Sequence, residues 1–168
     1  TFLPNPCAEK VNTYIQITAS GPDSRWESIK QLYFLLISSA ERSISIQTPY
    51  FIPDASIVMA LKTAALSGIN VHIMLTGWVD KRLPYWAAAT YMKDLLEAGA
   101  RFYYYTGGFM HAKTIVVDSQ ICSIGTANMD IRSFALNYEI NALIYDEGIA
   151  LQLSSQFAAD LVSSQEFT

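Results

Sequence analysis

Three observations predict an α/β domain, a mixed β-sheet flanked by helices. β-rich runs alternate with segments of helical period up to about residue 105. Strand-like runs then follow one another with no comparable helix between them, and a final amphipathic stretch closes the chain. Strand–helix alternation favours parallel neighbours and directly successive strands pair antiparallel, so the sheet must contain both.

Residues 1–13, "TFLPNPCAEKVNT", hold two prolines and no period, and read as a lead-in or linker to a single domain over 14–168. "YIQITAS" alternates and predicts the first strand. In "GPDSRWESIK", Pro22 precedes Ser24 and Glu27 at capping-box spacing, which predicts a helix start there. Trp26, Ile29, Leu32, Tyr33, Leu36, Ile37 and Ala40 keep the helical period into "SSAER". "SISIQT" is the second strand, and "PYFIPD" is a loop whose Asp54 is placed to cap a second helix ending at Gly68.

"INVHIML" predicts the third strand. Pro84 suits the first turn of a helix running to about Ala98 and closed by Gly99. "ARFYYYT" is the fourth strand, broken by Gly107 and Gly108. Strands are then expected over 111–117, 121–126 and 137–145, and a helix over 147–164 with Ala150, Leu153, Phe157 and Leu161 on one stripe.

Composition narrows the function. At 168 residues, 51% apolar and 15% charged, the chain suits a compact globule with a sizeable core. Its net charge of −4 disfavours a nucleic-acid partner, because such binders carry a basic excess. No apolar run reaches the length of about 18 residues that a membrane helix needs. Cys122, inside "ICSIG", reads as a buried free thiol and not as the disulfide partner of Cys7. His72, His111 and the two cysteines lack the close spacing of a structural zinc site.

The chemistry concentrates in "HAKTIVVDSQICSIGTAN", residues 111–128. On a strand over 111–117, His111 and Lys113 share one face. Such a pair makes a poor core but a good phosphate site: imidazole attacks phosphorus or moves a proton, and ammonium neutralises the non-bridging oxygens. Gly125 permits close backbone approach, and the Thr126 hydroxyl and Asn128 amide can donate to the same oxygens. Glu139 and Asn141 fall on one face of a later strand. A hydrogen bond from the imidazole Nδ1–H would offset the cost of placing the Glu139 carboxylate in an apolar run, and would fix the tautomer.

The pattern His111-x-Lys113-x4-Asp118-x6-Gly125-Thr126-x-Asn128 resembles the HKD signature of the phospholipase D superfamily, with Thr126 where serine is commoner. "QTPYFIPD", "LLEAGARFYYY", "GFMHAKTIVVD" and "IGTANMDIRSFALNYEINALIYD" resemble the C-terminal half of a bacterial cardiolipin synthase over most of residues 14 to 164. The resemblance implies a phospholipase D-like domain and a transfer reaction. A histidine attacks the phosphorus of one phosphatidylglycerol, glycerol leaves, and a second phosphatidylglycerol displaces the histidine to give cardiolipin. It implies catalytic roles for His111, Lys113, Asp118 and Glu139, phosphate binding by Thr126 and Asn128, and neither metal nor organic cofactor.

The superfamily builds its site from two HKD motifs, and this chain carries one; His72, in "VHIML", has no lysine two positions on. The expected partner is a second half, either in the same longer polypeptide or in a second copy. The longer-polypeptide reading is preferred, with His111 as general acid/base and the isolated segment nearly inactive. The parent is expected at a bacterial cell membrane, anchored through segments absent here, with this segment soluble at the cytoplasmic face.

Two rivals stay open: a homodimeric phosphodiesterase or nuclease, and an inactive HKD-type binding or assembly module. Asp118 has two readings as well, since "VDSQ" suits a turn and strand parity sets it opposite His111. Asp130, Arg132 and Ser133 suit the cap of a short helix, with a contact to the lipid head group as the lesser reading. Tyr50 and Phe51 suit packing or a pocket wall.

Overall fold

The structure is a computed structural model that describes residues 13–77 and 91–167. An eight-stranded sheet runs in the order β1-β9-β7-β6-β2-β4-β5-β10. Its strands are β1 (Tyr14–Ser20), β2 (Ser43–Gln47), β4 (Asn70–Thr76), β5 (Arg101–Tyr105), β6 (Thr114–Val117), β7 (Ile121–Gly125), β9 (Glu139–Tyr145) and β10 (Ser164–Phe167). The two-residue strands β3 (Phe51–Ile52) and β8 (Met129–Asp130) pair parallel in a small second sheet. β2, β4 and β5 are parallel to one another, and the remaining ladders of the large sheet are antiparallel. The expected mixed sheet is what forms.

Helices cover both faces. α1 (Ser28–Ser38), α2 (Ala55–Leu66) and the helical residues 91–97 (α3) pack on one side, where Ile29, Tyr33, Leu61 and Leu95 meet Ile44, Ile73, Phe102, Ile115 and Leu143. α5 (Glu147–Leu161) covers the other, with Ala150 against Val116, Cys122 and Ile144, and Phe157 against Met74 and Tyr103. Period-two alternation along β2 and β4 divides these two cores. α4 (Ile131–Ala135) is a single short turn capped by Asp130, whose carboxylate accepts from the Ser133 N–H at 2.7 Å.

Four expectations shift. α1 begins at Ser28, not at the "SRWE" capping box; the Ser24 hydroxyl instead donates to the Trp26 carbonyl at 2.8 Å, and Trp26 is exposed beneath Arg25. β6 starts at Thr114, so His111 and Lys113 lie in the extended lead-in to the strand. The last helix stops at Leu161, and Ser164–Phe167 pairs antiparallel with β5. Lastly, Phe51–Ile52, read as loop, pairs with β8. Asp54 caps α2 as expected, accepting from the Ile57 N–H at 3.0 Å, and Gly68 and Gly99 close their helices at φ 87° and 101°. Cys122 is a buried free thiol, and burial pushes it up to about 11. Pro84 and Cys7 lie outside the described residues.

Candidate active site

Strand register decides which polar residues meet. β6 runs antiparallel to β2 with Thr114 opposite Gln47, so Lys113 enters the sheet where β2 leaves it. β7 brings Ile124 opposite Thr114, and β9 sets Asn141 opposite Gly125. Residues 111–113, 125–128 and 139 therefore collect beyond the carboxyl ends of the parallel strands β2 and β4. Open α/β sheets present ligand sites at this edge.

His111 is exposed, with its ring stacked on Phe109 at 5.7 Å and 20°. Lys113 behaves differently. It is only 9% exposed, and its Nζ donates to the His111 carbonyl at 2.8 Å. Among the described residues no carboxylate forms an ion pair with it. Burial pulls its pKa below the ordinary lysine value, against the more distant fields of Glu139 and Asp130. An ammonium has three donors, and a desolvated one that meets a single carbonyl is costly unless an anion completes it.

The Glu139 carboxylate does not reach the imidazole, which corrects the expected His111–Glu139 hydrogen bond. Its Oε2 accepts from the Thr126 hydroxyl, and its Oε1 accepts from Asn137 Nδ2 at 3.1 Å. Thr126 Oγ1 in turn accepts from the Ile140 N–H at 3.0 Å. The single hydroxyl proton of Thr126 thus goes to Glu139 and not to a ligand in this state. Asn137, which was not singled out in the sequence, sits two residues before Glu139 and holds its second oxygen. Asn137 lies in the bend just before β9, so its i, i+2 spacing from Glu139 was the available signal.

Gly125 has a different purpose from the one expected. A Cβ there would overlap the Asn141 carboxamide and the Ile140 carbonyl oxygen, so the missing side chain makes room for β9. Asn141 is 1% exposed; its Nδ2 donates to the Tyr33 hydroxyl at 2.8 Å and to Ser123 Oγ at 3.1 Å. The Tyr33 hydroxyl donates to the Ala127 carbonyl at 3.1 Å. Burial pushes the Tyr33 phenol up, against the Asn141 hydrogen bond and with help from the Glu139 charge, so it serves as a neutral donor. This buried network fixes the backbone just before Asn128. The Asn128 N–H donates to Ser133 Oγ at 3.1 Å, and Oδ1 is buried with no hydrogen-bond partner among the described residues. The amide nitrogen is the end left for a ligand.

Asp118 does not join the group, which corrects its expected catalytic role. It lies at the opposite end of β6, about 16 Å from Lys113 at strand spacing. Its carboxylate accepts from the backbone N–H groups of Glu41 at 2.8 Å, Arg42 at 2.7 Å and Ser43 at 2.7 Å. Burial pushes the carboxyl up, but these three donors and the Arg42 charge outweigh it and hold Asp118 below the ordinary range. Asp118 and Ser119 both have positive φ, at 54° and 56°, in the tight β6–β7 turn. The turn reading stands.

A cavity of about 310 Å³ opens beside Asn128, walled by Tyr50, Asp130, Arg132 and Asn137. Nearby, β3 and β8 are held by the Thr48 hydroxyl, which accepts from the Met129 N–H at 3.2 Å and donates to the Tyr50 carbonyl at 3.0 Å.

A family model described as "Cardiolipin synthase, PLD-like domain" matches residues 33–161, well over half the chain. The chain belongs to this family. The PLD-like domain is 56% identical over 171 residues to the major cardiolipin synthase ClsA of Bacillus subtilis (strain 168), an alignment covering 100% of this chain and 36% of that protein. It is 47% identical over 159 residues to a cardiolipin synthase of Listeria welshimeri serovar 6b, covering 95% of this chain and 33% of that one. The chain thus spans about a third of the length of the curated relatives it matches.

Among solved structures, the PLD-like domain matches Nuc of Salmonella typhimurium, a phospholipase D family member, at a TM-score of 0.79 and 20% identity, covering 93% of this chain and 99% of that chain. It matches the phosphatidylserine synthase of Haemophilus influenzae Rd KW20 at 0.74 and 17% identity, covering 92% and 40%. These two matches concern the fold.

Proposed function

We propose that this domain is one HKD half of a bacterial phosphatidyltransferase that joins two phosphatidylglycerols into cardiolipin. The observation that carries the reading is an exposed imidazole and a buried, undersatisfied ammonium two residues apart at the ligand-binding edge of the sheet, to which strand register also brings the Asn128 loop. That trio suits a phosphodiester: Lys113 and Asn128 hold the non-bridging oxygens, and His111 moves the proton. The second half supplies the nucleophilic histidine, whose attack forms a P–N bond and breaks the P–O bond to glycerol. His111 protonates the departing glycerol oxygen, then takes the hydroxyl proton of the second phosphatidylglycerol as its oxygen displaces the histidine. Glu139, braced by Thr126 and Asn137, adds negative charge that favours the ammonium form of Lys113.

An uncovered apolar strip supports a partner half. Ile15 and Ile17 of β1 and Ile140 of β9 are 54%, 62% and 51% exposed, beside Thr126. A second HKD half of the same parent polypeptide is the proposed occupant, since the curated relatives are about three times as long as this chain. The parent would work at the cell membrane, held there by other segments.

The test uses the full-length protein with phosphatidylglycerol in detergent micelles. His111→Ala should reduce cardiolipin formation by about 10⁴-fold or more, as losing one member of a catalytic unit does, with an unchanged melting temperature. Undiminished cardiolipin output from that variant would remove His111 from the chemistry.

A further inference from the structure

The cavity next to Asn128 holds groups that the transfer step, as described, leaves unused. Arg132 is exposed at its rim and forms no ion pair among the described residues, in a chain with only 11 Lys and Arg. Asp130 is 7% exposed and commits Oδ1 to the Ser133 N–H, which leaves its other oxygen as an acceptor. Asn137 commits Nδ2 to Glu139, which leaves its carbonyl oxygen as a second acceptor. The wall therefore offers two hydroxyl acceptors and one guanidinium. A volume of about 310 Å³ gives room for a polar head group, and the polar wall suits one.

We propose that this cavity is the acceptor subsite, with Arg132 binding the phosphate of the incoming phosphatidylglycerol while Asp130 and Asn137 take its glycerol hydroxyls. The inference rests on the phosphatidyltransferase reading above. Leaving glycerol and entering acceptor must use the same side of the phosphorus, because one displaces what the other left behind. They differ in one respect: the acceptor carries a second phosphate across its three-carbon bridge, and free glycerol does not. Arg132 sits on the path where that difference is read. A guanidinium binds a phosphate through two parallel hydrogen bonds, which suits recognition more than a point charge does.

Two reactions of the full-length protein separate the roles. Exchange of radiolabelled glycerol into phosphatidylglycerol needs the covalent step and the glycerol site but no second phosphate. Cardiolipin formation needs both. Arg132→Ala and Arg132→Gln should lower cardiolipin formation about tenfold or more, the scale of one charge-assisted contact, and leave glycerol exchange within about twofold of wild type. Arg132→Lys should lie between them and wild type. Melting curves on each variant check the fold, which an exposed side chain should not disturb. Equal loss of both reactions in a folded variant, or no loss of either, overturns the subsite. A wild-type protein that performs neither reaction would instead overturn the phosphatidyltransferase reading itself.

Discussion

The two ends of strand β6 carry charged residues of one sequence motif, and they treat them in opposite ways. At the turn end, Asp118 is saturated by three backbone N–H donors within 2.8 Å. At the sheet edge, the Lys113 ammonium is more deeply buried and meets one carbonyl. A satisfied charge is part of the scaffold; an undersatisfied one is held ready for something that is not part of the chain. Motif membership does not distinguish the two, but hydrogen-bond saturation does.

The sharpest way to break that contrast is Lys113→Met in the full-length protein. Catalytic efficiency should fall by about 10²–10³-fold, the scale of losing one preorganised charge, while the melting temperature stays level or rises because a desolvated ammonium is gone. A drop in both would mean that Lys113 is structural after all.

Asp118→Ala should give the mirror image. It strips the acceptor from three N–H groups and should cost about 2–4 kcal/mol of stability after allowance for partial solvent access, with kcat of the folded protein unchanged. The pH dependence has a definite sign. Because the folded carboxyl lies below its ordinary value of 3.8, its stabilisation is complete above that value and is lost as pH falls through the lower folded one. Acid unfolding monitored by circular dichroism should therefore be flatter in the variant at the lowest pH.

A smaller effect is expected for Gly125→Ala, where the new methyl group meets Asn141 and the Ile140 carbonyl. Destabilisation of about 1–3 kcal/mol in urea would fit overpacking at a buried site. Smallest is Asn137→Ala, which frees one Glu139 oxygen and removes one acceptor from the cavity wall: kcat should fall by about tenfold or less and KM for phosphatidylglycerol should rise, and Asn137→Asp should not restore kcat, since a carboxylate cannot donate. A change in KM alone would mean that the Asn137–Glu139 hydrogen bond does not serve the chemistry.

Much of the fold could be read from local pattern. β1, β2 and β4 announced themselves through alternation or β-branched runs, β5 through its run of aromatics, and Asp54 through its capping position. Ser164–Phe167 could not be read in this way, because a four-residue strand is decided by its partner β5, about sixty positions earlier. The "SRWE" capping box failed for a related reason: the Ser24 hydroxyl found the Trp26 carbonyl instead, and α1 started where its buried stripe began. In the site, residue types and spacing placed His111, Lys113 and Asn128 at one edge. Orientation was not legible. Which way Thr126 and Glu139 turned depended on Asn137 and the Ile140 amide, neither of which stands out by type.

The bond from the Tyr33 hydroxyl to the Ala127 carbonyl spans 94 positions and runs from a helix on the far layer to the loop that presents Asn128. A lesion deep in that helix would therefore masquerade as an enzymological defect. In an unbiased genetic screen for loss of the full-length protein's activity, alleles at Tyr33 should surface alongside those at His111, although the phenol is buried beneath the surface on which His111 stands.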